Sequence, residues 1–95
     1  MTPQEVYYKE GSEMEVFQTI RNPKLKNVLK TNYRFKNLWK YVTNEQDIID
    51  LTYFFMAKAR QWRGCIGESM AQDALDFIHA NRDKKIHELG EIYAK

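Results

Sequence analysis

The sequence predicts a small all-α domain, a single bundle of about four to five helices built around a long amphipathic helix over 44–62. Three observations carry this. Apolar residues recur at three- and four-residue spacing through most of the chain. Only four glycines and two prolines punctuate the 95 residues, too few for the many turns of a sandwich or barrel. Helix-start signals stand ahead of most apolar stripes. One alternative stays open, a small α+β domain with an N-terminal hairpin. Tyr33, Phe35, Trp39 and Tyr41 alternate with Arg34, Lys36 and Lys40, which is also the pattern of a strand with an aromatic face.

The elements follow in order. Residues 1–11 form an N-terminal arm holding Pro3, Tyr7 and Tyr8. Ser12-Glu13-Met14-Glu15 is a capping box, in which serine and glutamate satisfy each other's backbone donors, so a short helix is expected over about 13–21. Asn22-Pro23 is a cap followed by proline at the first helical position, where its missing N–H costs nothing. Leu25, Val28 and Leu29 then give the stripe of a helix over 23–31. A third short helix over 33–43 would bury Phe35, Leu38, Trp39 and Val42.

Thr43-x-x-Gln46 is a second capping box, with Glu45 and Asp47 in the turn where the helix dipole favours acids. Along the helix that it opens, Ile48, Leu51, Phe55, Ala59 and Trp62 share one face. Gly64-Cys65-Ile66-Gly67 reads as a loop, and a last helical segment is expected from about 68 to 93. Its apolar stripe is interrupted by Asn81-Arg82-Asp83-Lys84-Lys85, so it either leaves the core or breaks near 81 or 83.

Composition narrows the class of protein. No window approaches the ~18 consecutive apolar residues of a membrane span, so no membrane partner is expected. A lone cysteine, Cys65, and an N-terminus without a basic-then-apolar run favour a reducing, cytoplasmic setting. The net charge of +2 hides a segregation: residues 16–44 hold seven bases and no acid. Short, rich in lysine, asparagine and aromatics, the chain has the composition of a small accessory protein of a phage or mobile element.

Catalytic signals are absent. His79 and His87 lie on different faces of the last helix, and no Cys-x-x-Cys or His-Glu-x-x-His spacing accompanies them, so neither metal nor cofactor is expected. Cys65 has no base placed beside it. The carboxylate pairs Asp47/Asp50 and Asp73/Asp76 both lie opposite the expected core stripe, where they read as solubilising charge.

Two binding readings remain. Phe54 projects among Asp47, Asp50, Lys58 and Gln61, in the middle of the polar face. An aromatic ringed by polar residues is the make-up of a protein-binding hot spot, and Tyr7 and Tyr8 raise the same question. A helix buried on two sides, with a second layer of the same domain over Phe54, explains that residue equally well. The expected partner is then another protein, or a second copy of the chain. The other reading is nucleic acid, bound by Arg21, Lys24, Lys26, Lys30, Arg34, Lys36 and Lys40 over the basic segment 21–40.

Overall fold

The computed structural model describes residues 3–8, 13–31 and 38–93. They contain α1 (Pro3–Tyr7), α2 (Glu13–Gln18), α3 (Pro23–Thr31), α4 (Glu45–Gln61) and α5 (Ile66–Tyr93). No strand occurs among the described residues, and the all-α class stands. Positions 5–7 and 13–18, which the alternative hairpin would have needed, are helical.

Local chemistry places most of the helix ends. The Asn22 side-chain oxygen accepts from the backbone N–H groups of Lys24 at 3.0 Å and Leu25 at 3.4 Å, capping α3 ahead of Pro23. At α4 the cap differs from expectation. Asn44, not Thr43, holds the N-cap, with extended backbone and its side-chain oxygen 2.9 Å from the Asp47 N–H. Helix α2 stops at Gln18, earlier than the expected 21, and tightens into i→i+3 bonds from Thr19 to Val16 and from Ile20 to Phe17. The expected helix over 33–43 falls largely outside the described residues. Its end is visible at residues 38–39, followed by turns from Tyr41 to Leu38 and from Val42 to Trp39.

Between α4 and α5 the chain reverses over residues 62–65, so α5 starts two residues earlier than expected. Gly64 takes φ +83°, a backbone conformation that side chains with a Cβ resist. Gly67 lies against the Trp62 ring, where a Cβ would come within 2.8 Å of the indole. The polar run 81–85 does not break α5. Asn81 donates back to the Phe77 carbonyl at 2.9 Å, and Trp39 packs edge-on against Phe77 at 5.5 Å with the Lys85 ammonium 5.8 Å from its ring. An aromatic from the basic segment thus covers the gap in the stripe. At about 1.5 Å per residue, α5 accounts for the 44 Å long axis of the molecule.

Helix α4 is the centre of the core. Its most extensive contact is with α5, whose small side chains Ala71 and Ala74 are buried. On its other side it packs against α1 and α2. Phe55 is buried as expected, whereas Ala59 and Trp62 are only partly so.

Enclosure from two sides decides between the two readings of Phe54 and overturns one expectation. Phe54 is 1% exposed, not set on a solvent face. Phe17 of α2 covers it at 6.1 Å and Phe55 flanks it at 5.1 Å. Asp47 and Asp50 are buried too, at 3% and 0% exposure, so they are not solubilising surface charges. Asp73 and Asp76 are exposed.

The buried acids are held by the segments around them. One Asp47 oxygen accepts from the Thr43 N–H, the Thr43 hydroxyl and the Asn22 amide, each at 2.9 Å. Asp50 accepts from Gln46 at 3.0 Å and from the Arg21 guanidinium at 3.4 Å through one oxygen, while its other oxygen is buried without a hydrogen-bond partner among the described residues.

Because Phe54 is a packed core residue, Phe54→Ala is expected to destabilise the domain by about 3–5 kcal/mol. That approaches the whole stability of a small domain. Chemical denaturation of the purified chain measures it, and a loss within ~0.5 kcal/mol would contradict the packing described.

Candidate functional site

The N-terminal arm was expected to bear interface residues, and it is anchored. Val6 of α1 is fully buried, and the Arg60 guanidinium reaches from α4 to donate to the Tyr7 carbonyl at 3.0 Å. The same guanidinium lies 4.4 Å from the centroid of the Tyr7 ring. A planar, delocalised cation suits both contacts at once, which an ammonium would not. Tyr7, Tyr8 and Tyr53 form an aromatic cluster, with centroids 5.2 Å (Tyr7–Tyr8), 5.5 Å (Tyr7–Tyr53) and 6.1 Å (Tyr8–Tyr53) apart. Tyr7 is half-buried, whereas Tyr8 is 70% exposed.

Beside this cluster an open groove of about 430 Å³ runs between α4 and α5. Tyr7 forms one wall; Met56, Ala59 and Leu75 supply apolar lining; Arg60, Arg63, Glu68, Gln72 and His79 supply the polar groups. Arg63 and His79 are both exposed. Sequence reasoning placed Tyr7 and Tyr8 here but missed the groove. In the sequence Arg60 and Arg63 stand near the end of the 44–62 helix with no motif around them, and nothing local announces that His79 of α5 faces the same cleft.

Another groove, about 520 Å³, lies between the start of α4 and the end of α5. Its one charged lining residue among those described is Glu45, which pairs with Arg82 at 3.6 Å. It lacks the convergent polar groups that orient a ligand.

The basic segment is divided. Lys24, Asn27 and Lys30 are exposed along α3, opposite the buried Leu25 and Leu29. Arg21 is engaged with Asp50, and Lys26 donates to the Gln18 carbonyl at 3.1 Å with Phe17 beneath it. Lys40 is exposed, 5.3 Å from the Tyr41 ring. Arg34 and Lys36 lie outside the described residues. Phe54, the sharpest interface candidate of the sequence, is removed from the surface by burial.

No group of three or more histidine, cysteine or acidic side chains with metal-binding placement occurs among the described residues. His79, His87 and Cys65 are each exposed. No helix of the described chain is long and apolar enough to cross a membrane. The sequence matches no protein-family model, and neither curated proteins nor solved structures show a significant similarity to it.

The titration of Tyr53 is displaced. Hydrogen bonding with Tyr8 is the larger cause, burial the second, and together they raise its pKa above the ordinary tyrosine value of 10.0. A raised folded-state value favours the neutral form, so Tyr53 contributes stability in full below pH 10.0 and loses it as pH climbs through the raised value. In an alkaline titration followed by phenolate absorbance, one tyrosine is expected to ionise late. Tyr8→Phe should move that step back toward the ordinary value; an unchanged step would assign the shift to burial alone.

Proposed function

We propose that this chain is a non-enzymatic helical docking protein that binds another protein through the tyrosine–arginine face. The carrying observation is Tyr8, 70% exposed at the edge of an anchored aromatic cluster and next to an open, mixed-polarity groove. Tyrosine and arginine are the residues that most often dominate protein interfaces. A tyrosine held at one end by its neighbours loses little side-chain freedom on binding, which lowers the entropic cost of association.

Affinity capture from the native host, with and without nuclease, tests the reading. A protein retained after nuclease treatment and weakened by Tyr8→Ala, by ~2 kcal/mol if Tyr8 is a hot spot, supports it. The thermal midpoint of the variant is expected to stay close to that of the parent, because most of the Tyr8 surface is already in water. Capture indifferent to Tyr8→Ala would remove this face from the function.

A second reading, nucleic acid, is favoured by one observation: Lys24, Asn27 and Lys30 line an exposed edge of α3, a helix without an acid. Lysines so placed reach phosphates without sequence preference. If this edge binds, affinity should fall linearly in log–log form with salt, with a slope of about −0.7 to −0.9 per phosphate contacted. Lys24→Glu combined with Lys30→Glu should abolish it. No shift of duplex or single-stranded oligonucleotides at low salt would dismiss the reading.

A further inference from the structure

We propose that the groove between α4 and α5 receives an acidic segment of the protein partner, with an aliphatic side chain seated beside a carboxylate. The inference rests on the docking reading and names the chemistry of its occupant. Two features of the groove select that chemistry together. Its lining is apolar where Met56, Ala59 and Leu75 meet, and methionine adapts its shape to an incoming aliphatic group. Its rim offers a cation and a hydrogen-bonding ring: Arg63, in the turn after α4, is exposed and has no ion pair among the described residues, and the exposed His79 imidazole faces the same cleft from α5.

Arg60 has a different part. Its guanidinium is taken up by the carbonyl and ring of Tyr7, so it positions the groove wall, leaving Arg63 to meet the ligand. The one acid among the described lining residues, Glu68, sits in the first turn of α5, where the helix dipole offsets its charge. A basic segment would set its charge against Arg63, and a like-charge contact at an interface is strongly disfavoured. A small inorganic anion would leave the apolar lining uncovered. The cavity, about 430 Å³, lies toward the small end of the roughly 300–1,000 Å³ typical of ligand clefts, which suits a short segment and not a whole helix face.

Selection of a random displayed-peptide library on the full-length chain tests this. The expected result is a consensus pairing aspartate or glutamate with leucine, isoleucine or valine. Arg63→Glu should weaken binding of the selected peptide by about tenfold or more, as for an arginine hot spot. His79→Asp, a second exposed substitution, should weaken it in the same direction. Both variants should keep the thermal midpoint of the parent, which separates lost recognition from lost folding.

Failure to enrich any peptide, or enrichment of basic or uncharged sequences, would overturn the proposal, as would a selected peptide indifferent to Arg63→Glu. Sedimentation of the chain alone adds a further arm. A dimer that Arg63→Glu dissolves would make the occupant a second copy and dismiss the acidic partner segment. The two readings fail separately. Capture that needs Tyr8 and ignores Arg63 leaves the docking face standing and removes the acidic segment.

Discussion

The arrangement of the helices depends on one side chain, Asn22, whose amide is used at both ends. Its oxygen accepts from the first turn of α3, and its nitrogen donates to the Tyr41 carbonyl at 3.0 Å and to Asp47 at 2.9 Å. An asparagine amide offers two donors and an acceptor with two lone pairs, so this residue is fully satisfied. Three pieces of chain are joined there: the start of α3, the end of the basic segment and the first turn of α4. Aspartate would still cap α3, but it would face Asp47 and the Tyr41 carbonyl with acceptors where donors are needed. Asp47 accepts in return from Thr43, so the joint also fixes where α4 begins. A buried carboxylate with three donors is tolerated where a bare one would not be.

That joint explains where the sequence was legible and where it misled. Capping signals are local chemistry, and the Asn22-Pro23 pair located α3 with its expected bounds. The apolar stripe of α4 was equally plain, since Ile48, Leu51 and Phe55 repeat at helical spacing and are buried. The opposite stripe, Asp47, Asp50, Phe54 and Lys58, looked like a solvent face because its composition is polar. Its burial is decided by partners distant in sequence: Phe17 over Phe54, Asn22 beside Asp47 and Arg21 beside Asp50. Hydrophobic periodicity reports one buried face of a helix. It does not report a second face buried through hydrogen bonds and a single aromatic. Phe54 was the visible discrepancy in that pattern, and the resolution was a second layer of the same domain.

The candidate site shows the same division between local and distant information. Tyr7 and Tyr8 were legible as aromatics needing an explanation. Their surroundings were not, because the groove is assembled from α1, α4 and α5, and the contact between Arg60 and the Tyr7 carbonyl spans 53 residues. Arg63 and His79 carry no motif. They become candidates only when two helices bring them to one cleft beside an apolar lining. Charge segregation, the most unusual feature of the sequence, proved partly internal. Arg21, although exposed, and Lys26 are engaged within the domain, which leaves Lys24, Lys30 and Lys40 as the other exposed described bases of that segment.

The groove and the N-terminal arm form one mechanical unit. Helix α1 has only five residues, too few to hold a helix by backbone bonds alone, so its order comes from packing. The burial of Val6, the Arg60 clasp and the tyrosine cluster supply that packing. Because Tyr7 is also a wall of the groove, anything seated in the groove contacts the element whose order is most conditional. Short segments of this kind open locally at lower free energy than the core. A ligand that binds only when α1 is docked therefore stabilises α1 by its own binding free energy, and loosening α1 weakens the ligand by the same amount. Arg60 sits at the junction of the two effects. It touches α1 through carbonyl and ring and lines the groove with the same guanidinium, so arm order and groove shape are set by one residue of the central helix.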